Sequence, residues 1–244
     1  MVYWLKPSTL KGYVEVAEAR SQVYGLLSAL YLELPNLKVL QSVFDAEFER
    51  QFSSAASRFE AGEMKNGLKL IASFVTAFRD KPRTEALKRV SIDRTRLFQG
   101  VNPQHSPPPP YESVYRDGRL WGKSTVEVSQ IYGRLGVKLP EAWTEPPDHI
   151  GIELDFMRLI CLSEREAWQA GYADKALEYL EAGMDFLTKH VVQWVPVFCE
   201  EMYNRAGLDF YRGIAQLTRG FVVYDSHLAD QQVSEARKQL AVEP

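Results

Sequence analysis

A chain of 244 residues that is 45% hydrophobic and 25% charged can bury a sizeable core, which excludes the disordered and fibrous classes. Its 29 Lys and Arg against 32 Asp and Glu leave a formal net charge of −3, so there is no field for gathering nucleic acid. No apolar run reaches the ~20 residues of a membrane span and no signal-peptide pattern opens the chain, so cytoplasmic residence without membrane insertion is expected.

Apolar residues recur at helical spacing almost throughout. Val16, Val23, Leu27, Leu30, Tyr31 and Leu34 form one face of a first long helix, ended by Pro35-Asn36. Leu40, Phe44, Phe48 and Phe52 read as a second helix. Met64, Leu68, Ile71, Val75 and Phe78 read as a third, stopped by Lys81-Pro82, and Leu87 to Phe98 as a fourth. A long irregular stretch follows from Gly100 to about Gly122. Five of the 13 prolines fall between Pro103 and Pro110, so this part is expected to run extended, as polyproline II. Loops of this length inside a domain line sites, act as hinges or simply link.

Beyond the loop, helices are expected around Val128 to Leu135, Ile150 to Trp168, Leu177 to Leu187, Val195 to Met202 and Phe210 to Phe221. A polar tail from Asp225 reads as a weakly held final helix. Strand alternation and hairpin turns are almost absent, and no fixed-period repeat appears. The expectation is an all-α fold: a single compact helical domain over 1–244, of about ten helices. It has an N-terminal half of about 1–100, the proline-rich loop of about 101–122 and a C-terminal half of about 123–244.

Catalytic and metal constellations are incomplete. Gly118-Arg-Leu-Trp-Gly122-Lys123-Ser124 has three residues between its glycines where a Walker A loop needs four, and no strand precedes it, so at most weak GTP binding is expected there. His105, His149, His190 and His227 are scattered, and His149 with Glu153 one turn on lacks a third ligand. Ser113 sits outside any Gly-x-Ser-x-Gly context. Cys161 and Cys199 fit buried reduced thiols. At Glu145-Pro146-Pro147-Asp148-His149, two prolines hold the chain extended before a strongly periodic helix. Asp148 is placed to cap that helix, and His149 is expected neutral and hydrogen-bonded, held by Asp148.

Taken in order, Thr95-Arg96-Leu97-Phe98-Gln99-Gly100, Pro110-Tyr111-Glu112-Ser113-Val114-Tyr115, Trp121-Gly122 and Glu145-Pro146-Pro147-Asp148-His149-Ile150-Gly151 resemble the TorD/DmsD/NarJ family of molybdoenzyme maturation chaperones, whose hallmark is a Glu-Pro-x-Asp-His loop opening a helix. The first helix with Tyr24 and Pro35, Phe186-Leu-x-x-His190 with Trp194-x-Pro196-x-Phe198, and Phe210-Tyr211 extend the likeness. Arg94 departs from it, standing where many relatives carry an aromatic.

The resemblance implies a cytosolic, non-enzymatic chaperone without a cofactor. Its implied partners are the leader peptide, often twin-arginine, and the apo catalytic subunit of a molybdopterin-containing oxidoreductase, bound before cofactor insertion. It allows a monomer or a domain-swapped homodimer. An apolar groove with carboxylates at its rim suits a basic and apolar leader. The client-binding set is then Leu97, Phe98, Tyr111, Tyr115 and Trp121 as lining, Glu112, Glu145, Asp148 and Glu153 as partners for arginines, and Pro147 and His149 completing the loop. A GTP-binding switch and a structural helical adaptor are the alternatives.

Overall fold

The computed structural model describes residues 10–56, 62–99, 106–139, 141 and 143–240. The start of the proline-rich loop, Pro103 to His105, lies outside them. In chain order the helices are α1 (Leu10–Leu32), α2 (Leu37–Phe44), α3 (Glu47–Ala56), α4 (Gly62–Ala77), α5 (Arg83–Phe98), α6 (Glu112–Asp117), α7 (Lys123–Arg134), α8 (Ile150–Gln169), α9 (Ala173–Phe186), α10 (Val192–Arg205) and α11 (Asp209–Leu240). The only β pairing among the described residues is an isolated antiparallel bridge between Tyr111 and His149. The all-helical expectation holds.

Two long-range pairings build the body: α1 lies along α8, and α11 along α4, with α10 also against α11. The N-terminal and C-terminal halves of the chain therefore share one core, in which Tyr24, Leu27, Met157, Phe198 and Phe221 are all buried. Burying each such side chain contributes ~1.5–3 kcal/mol. The α4–α11 crossing depends on a glycine pair: a Cβ on Gly67 would stand 2.8 Å from the Gly213 carbonyl oxygen, and one on Gly213 2.7 Å from that of Gly67. Cys161 and Cys199 are free and buried.

Four expectations about the elements change. The second predicted helix is two, because the chain breaks after α2 at Asp45 and Ala46 takes φ 55°, a left-handed turn that no glycine announces. The irregular stretch contains the short helix α6. The helices expected at Leu177 and Val195 are one continuous helical run, joined by a π-helical turn over Leu187–Val191. The polar tail is no loose helix. α11 runs unbroken to Leu240, with Leu228, Ala229, Val233 and Ala236 buried.

Asp225 explains the last correction. It is fully buried, and accepts from Arg20 Nε at 2.7 Å and from the Tyr24 hydroxyl at 2.6 Å. Arg20, 1% exposed, also donates to Glu164 at 3.1 Å. A charged residue that ends an apolar stripe in sequence is thus the acceptor of a buried guanidinium on α1. Such a pair holds α1, α8 and α11 in register, since a buried charge left without its partner is costly.

Candidate functional site

The Glu145–His149 turn lies where α6, α7 and α8 meet. Pro146, Pro147 and Asp148 are buried, and the extended segment at Tyr111 pairs with it: Glu112 N–H donates to the Asp148 carbonyl and Ile150 N–H to the Pro110 carbonyl, each at 2.9 Å. The Ser28 hydroxyl of α1 donates to the Gly151 carbonyl at 2.8 Å. Gly151 permits this closeness, because a Cβ there would meet Leu32 Cγ at 2.6 Å.

Asp148 and His149 have tasks other than the expected ones. The N-cap of α8 is His149, whose Nδ1 accepts from Gly151 N–H at 3.1 Å. Asp148 turns away from α8: its carboxylate accepts from Ser113 N–H at 2.7 Å and from the Thr125 hydroxyl at 3.0 Å. It thereby supplies the side-chain cap that Tyr111, at the N-cap of α6, does not make. His149 is not held by Asp148. Its ring packs against Tyr111 and Trp143, with centroids 5.1 and 5.6 Å away. Burial, and secondarily the Arg94 guanidinium, push its pKa from 6.5 down to about 3, so the ring is neutral and free to accept.

Glu112 and Glu153 are also wholly buried. Glu112 is bound by Arg116 and faces His190 Nδ1 at 3.0 Å. The π-helical turn aims that ring inward, stacked on Phe186, and Arg116 donates to the Lys189 carbonyl in the same turn at 3.0 Å. Glu153 accepts from Trp194 Nε1 at 3.0 Å; burial first, and then neighbouring Glu112, raise its carboxyl well above the usual range. Glu112, Asp148 and Glu153 are consequently internal ties and do not stand at a groove rim. Glu145 alone of the four expected carboxylates is exposed, and the Tyr111 hydroxyl donates to it.

The expected groove lining separates similarly. Leu97 is fully buried and belongs to the core. Phe98 and Tyr115 are partly buried: Phe98 packs against Tyr211 and Phe198, and Tyr115 against Trp194 and Phe198. Trp121 is 60% exposed on the α6–α7 loop at φ 58°, and among the described residues no ring contact joins it to this cluster. The Walker-like segment is a helix junction. Gly118 is the left-handed C-cap of α6, and the Asp117 carboxylate takes the Ser124 N–H at 2.8 Å, where a phosphate oxygen would have to sit.

Sequence reasoning missed Trp143, Thr125, Arg116 and the placement of Arg94, and it named Trp194 without its bond to Glu153. Arg94 donates to the Tyr31 carbonyl at 2.7 Å, and its guanidinium lies over the Phe98 ring, 5.1 Å from the centroid. Its departure from the family pattern was the one available signal. Among the described residues no cluster of three or more His, Cys, Asp and Glu is arranged to hold a metal, and no helix is long and apolar enough to cross a membrane.

Residues 58–200 match the nitrate reductase delta subunit family, more than half of the chain. Chaperone protein TorD of Vibrio cholerae is 26% identical over 219 residues, 89% of this chain and 95% of its own length. That of Shewanella oneidensis is 28% identical over 234 residues, 93% and 97%. A crystal structure from Archaeoglobus fulgidus, provisionally assigned to a redox enzyme maturation protein, shares 21% identity at a TM-score of 0.46, covering 84% of this chain and 93% of that one. With the Glu145–His149 turn folded as a three-helix junction and the match extending over 58–200, the chain belongs to the TorD/DmsD/NarJ family of molybdoenzyme maturation chaperones and is a chaperone rather than an enzyme.

Proposed function

We propose that this chain works in the cytoplasm, binding the N-terminal leader, often twin-arginine, and the apo form of a molybdopterin-containing oxidoreductase and keeping it competent for cofactor insertion. It does so without a cofactor of its own. The observation that carries this reading is the exposed Glu145 carboxylate, fixed by Tyr111 beside the half-buried faces of Trp143 and His149. A carboxylate held against aromatic surface suits a segment in which arginine adjoins apolar residues. Rigid mounting on Asp148 means that little ordering cost falls on the chaperone when such a segment docks.

The test is a fluorescence-anisotropy titration of the purified chain with leader peptides from molybdoenzymes of its own source, against scrambled peptides of equal composition. Leaders are expected to bind at least ~10-fold more tightly, a difference of ~1.4 kcal/mol. Glu145→Lys should remove most of that preference with helicity unchanged. Equal binding of leader and scrambled peptides sinks the proposal.

A further inference from the structure

A hollow of about 340 Å³ opens between α7 and the run from α9 into the π-helical turn, at the small end of the ~300–1,000 Å³ usual for ligand sites. Arg134, Asp185 and Lys189 stand exposed at its mouth, Ile131, Leu135 and Ala182 are half-buried walls, and buried Phe186 and His190 make the floor. His190 is the unusual member. It is 6% exposed, and its Nδ1 faces Glu112 at 3.0 Å, yet among the described residues no hydrogen bond reaches Nε2. Because the ring also lines the hollow, Nε2 is the polar atom that the floor offers to an occupant. A backbone irregularity places it there: Leu187–Val191 form a π-helical turn, a rare device that recurs at functional sites. Phe186 stacks on the ring with 20° between the planes, so the floor is flat.

We propose that this hollow binds a small organic carboxylate with a flat apolar body, its charge met by Arg134 and His190 Nε2 and its body laid on Phe186 between Ile131, Leu135 and Ala182. The site is separate from the leader surface at Glu145 and does not depend on it. Charge selects an anion. At the mouth Lys189 is paired with Asp185 at 2.7 Å, while Arg134 has no ion-pair partner among the described residues, so one positive charge is left over. Behind the ring, Glu112 is already bound by Arg116 from α6, and next to it Glu153 on α8 has a carboxyl raised well above the usual range, by burial first and then by Glu112. The last carbonyls of α7, those of Ile131, Tyr132 and Gly133, accept from the N–H groups of Leu135, Val137 and Gly136, so that helix end sets no free acceptor against the anion. A ring with Glu112 at Nδ1 and a ligand carboxylate at Nε2 donates from both nitrogens, which only the imidazolium does. Such charge-assisted bonds are roughly twice as strong as neutral ones, and this favours an acid over an alcohol or an amide. The volume equals that of roughly eleven waters at their ~30 Å³ liquid share, room for one ring with a short acid chain.

The experiment is a calorimetric titration of the full chain at pH 7 with four probes: hydrocinnamate, its neutral amide, inorganic phosphate and the tripeptide Gly-Gly-Phe. Hydrocinnamate is expected to bind at least ~10-fold more tightly than the amide, which lacks the charge, and than phosphate, which lacks the apolar body. Two variants at accessible positions accompany it, with helicity checked by circular dichroism. Arg134→Glu at the exposed mouth should weaken hydrocinnamate at least ~5-fold at low salt, with the loss shrinking as salt rises. Ala182→Trp, which fills the hollow from its half-buried wall, should weaken it at least ~10-fold at every salt concentration. In the bound state both ring nitrogens of His190 should give the NMR signals of a protonated imidazolium. The proposal is overturned if hydrocinnamate fails to bind at millimolar concentration, or if the amide or phosphate binds as tightly. Folded Arg134→Glu and Ala182→Trp variants that both stay within twofold of the unaltered chain put the ligand elsewhere and overturn it too, as does a bound state in which Nε2 keeps its lone pair. Tighter binding of Gly-Gly-Phe than of hydrocinnamate overturns the small-molecule assignment in favour of a chain terminus.

Discussion

Replacing Asp148 by alanine tests whether the turn is a structural junction before it is anything else. The carboxylate is wholly buried and accepts two bonds, from Ser113 N–H at 2.7 Å and from Thr125 Oγ1 at 3.0 Å. Bonds to a charged acceptor contribute about 1.5–3 kcal/mol each, and the backbone N–H left in the interior adds a desolvation cost of ~1–3 kcal/mol. Relaxation recovers part of this, so Asp148→Ala should cost about 3–5 kcal/mol, a large share of the 5–15 kcal/mol typical of a folded domain. Asp148→Asn should cost only about 1 kcal/mol, because its carbonyl oxygen accepts from Ser113 and its amide donates to the Thr125 hydroxyl. Urea unfolding at pH 7, followed by far-UV circular dichroism with unchanged slope, measures both. Alanine within 1 kcal/mol of the unaltered chain would refute the junction. Asparagine as damaging as alanine would show that the charge, and not the pattern of bonds, is what the fold requires.

Three further outcomes are expected. His149 has a folded pKa of about 3, below its unfolded 6.5, so the unfolded chain binds protons first as pH falls. Its contribution is complete above about 6.5 and is lost progressively towards 3, and His149→Asn, which keeps a cap but does not titrate, should show a smaller drop in urea midpoint between pH 7 and pH 5. Asp225→Ala should cost about 3–5 kcal/mol in the same assay, because it strands the Arg20 guanidinium, 1% exposed, with only Glu164 to meet it; a loss under 1 kcal/mol would show that the end of α11 is not docked. Ala46→Gly should raise stability by about 0.5–1 kcal/mol by relieving φ 55° at an exposed position, and calorimetry showing a lower melting temperature would contradict that.

Helical periodicity made most of the fold legible, because a face that must be buried repeats every 3.6 residues whatever it packs against. What it concealed were events set by backbone geometry or by distant partners. Ala46 breaks a helix without a glycine, and the π-helical turn at Leu187–Val191 hides inside an apolar pattern that suits two helices equally well. Asp225 looks like the start of a solvated tail until Arg20, on a helix at the other end of the chain, is placed beside it.

The same reason explains the divided reading of the site. Local sequence located the start of α8 and both polar residues before it. It did not tell which of the two caps the helix, because Asp148's partners are 35 and 23 positions away, on α6 and α7. Four carboxylates near one turn look alike as letters. In the fold, Glu112 is bound by Arg116 and His190, Asp148 by Ser113 and Thr125, and one oxygen of Glu153 by Trp194, all of them buried, which leaves Glu145 as the one at the surface. Tyr111 is held beside the turn by its bridge to His149 and by the adjoining Glu112 N–H, which donates to the Asp148 carbonyl, and the Tyr111 hydroxyl donates to Glu145. On the proposed function, a leader arginine meeting Glu145 finds a carboxylate held by Tyr111 beside the Asp148 junction. Asp148→Ala should therefore weaken leader binding through misplacement of Glu145, and an unchanged anisotropy titration of that variant would contradict this.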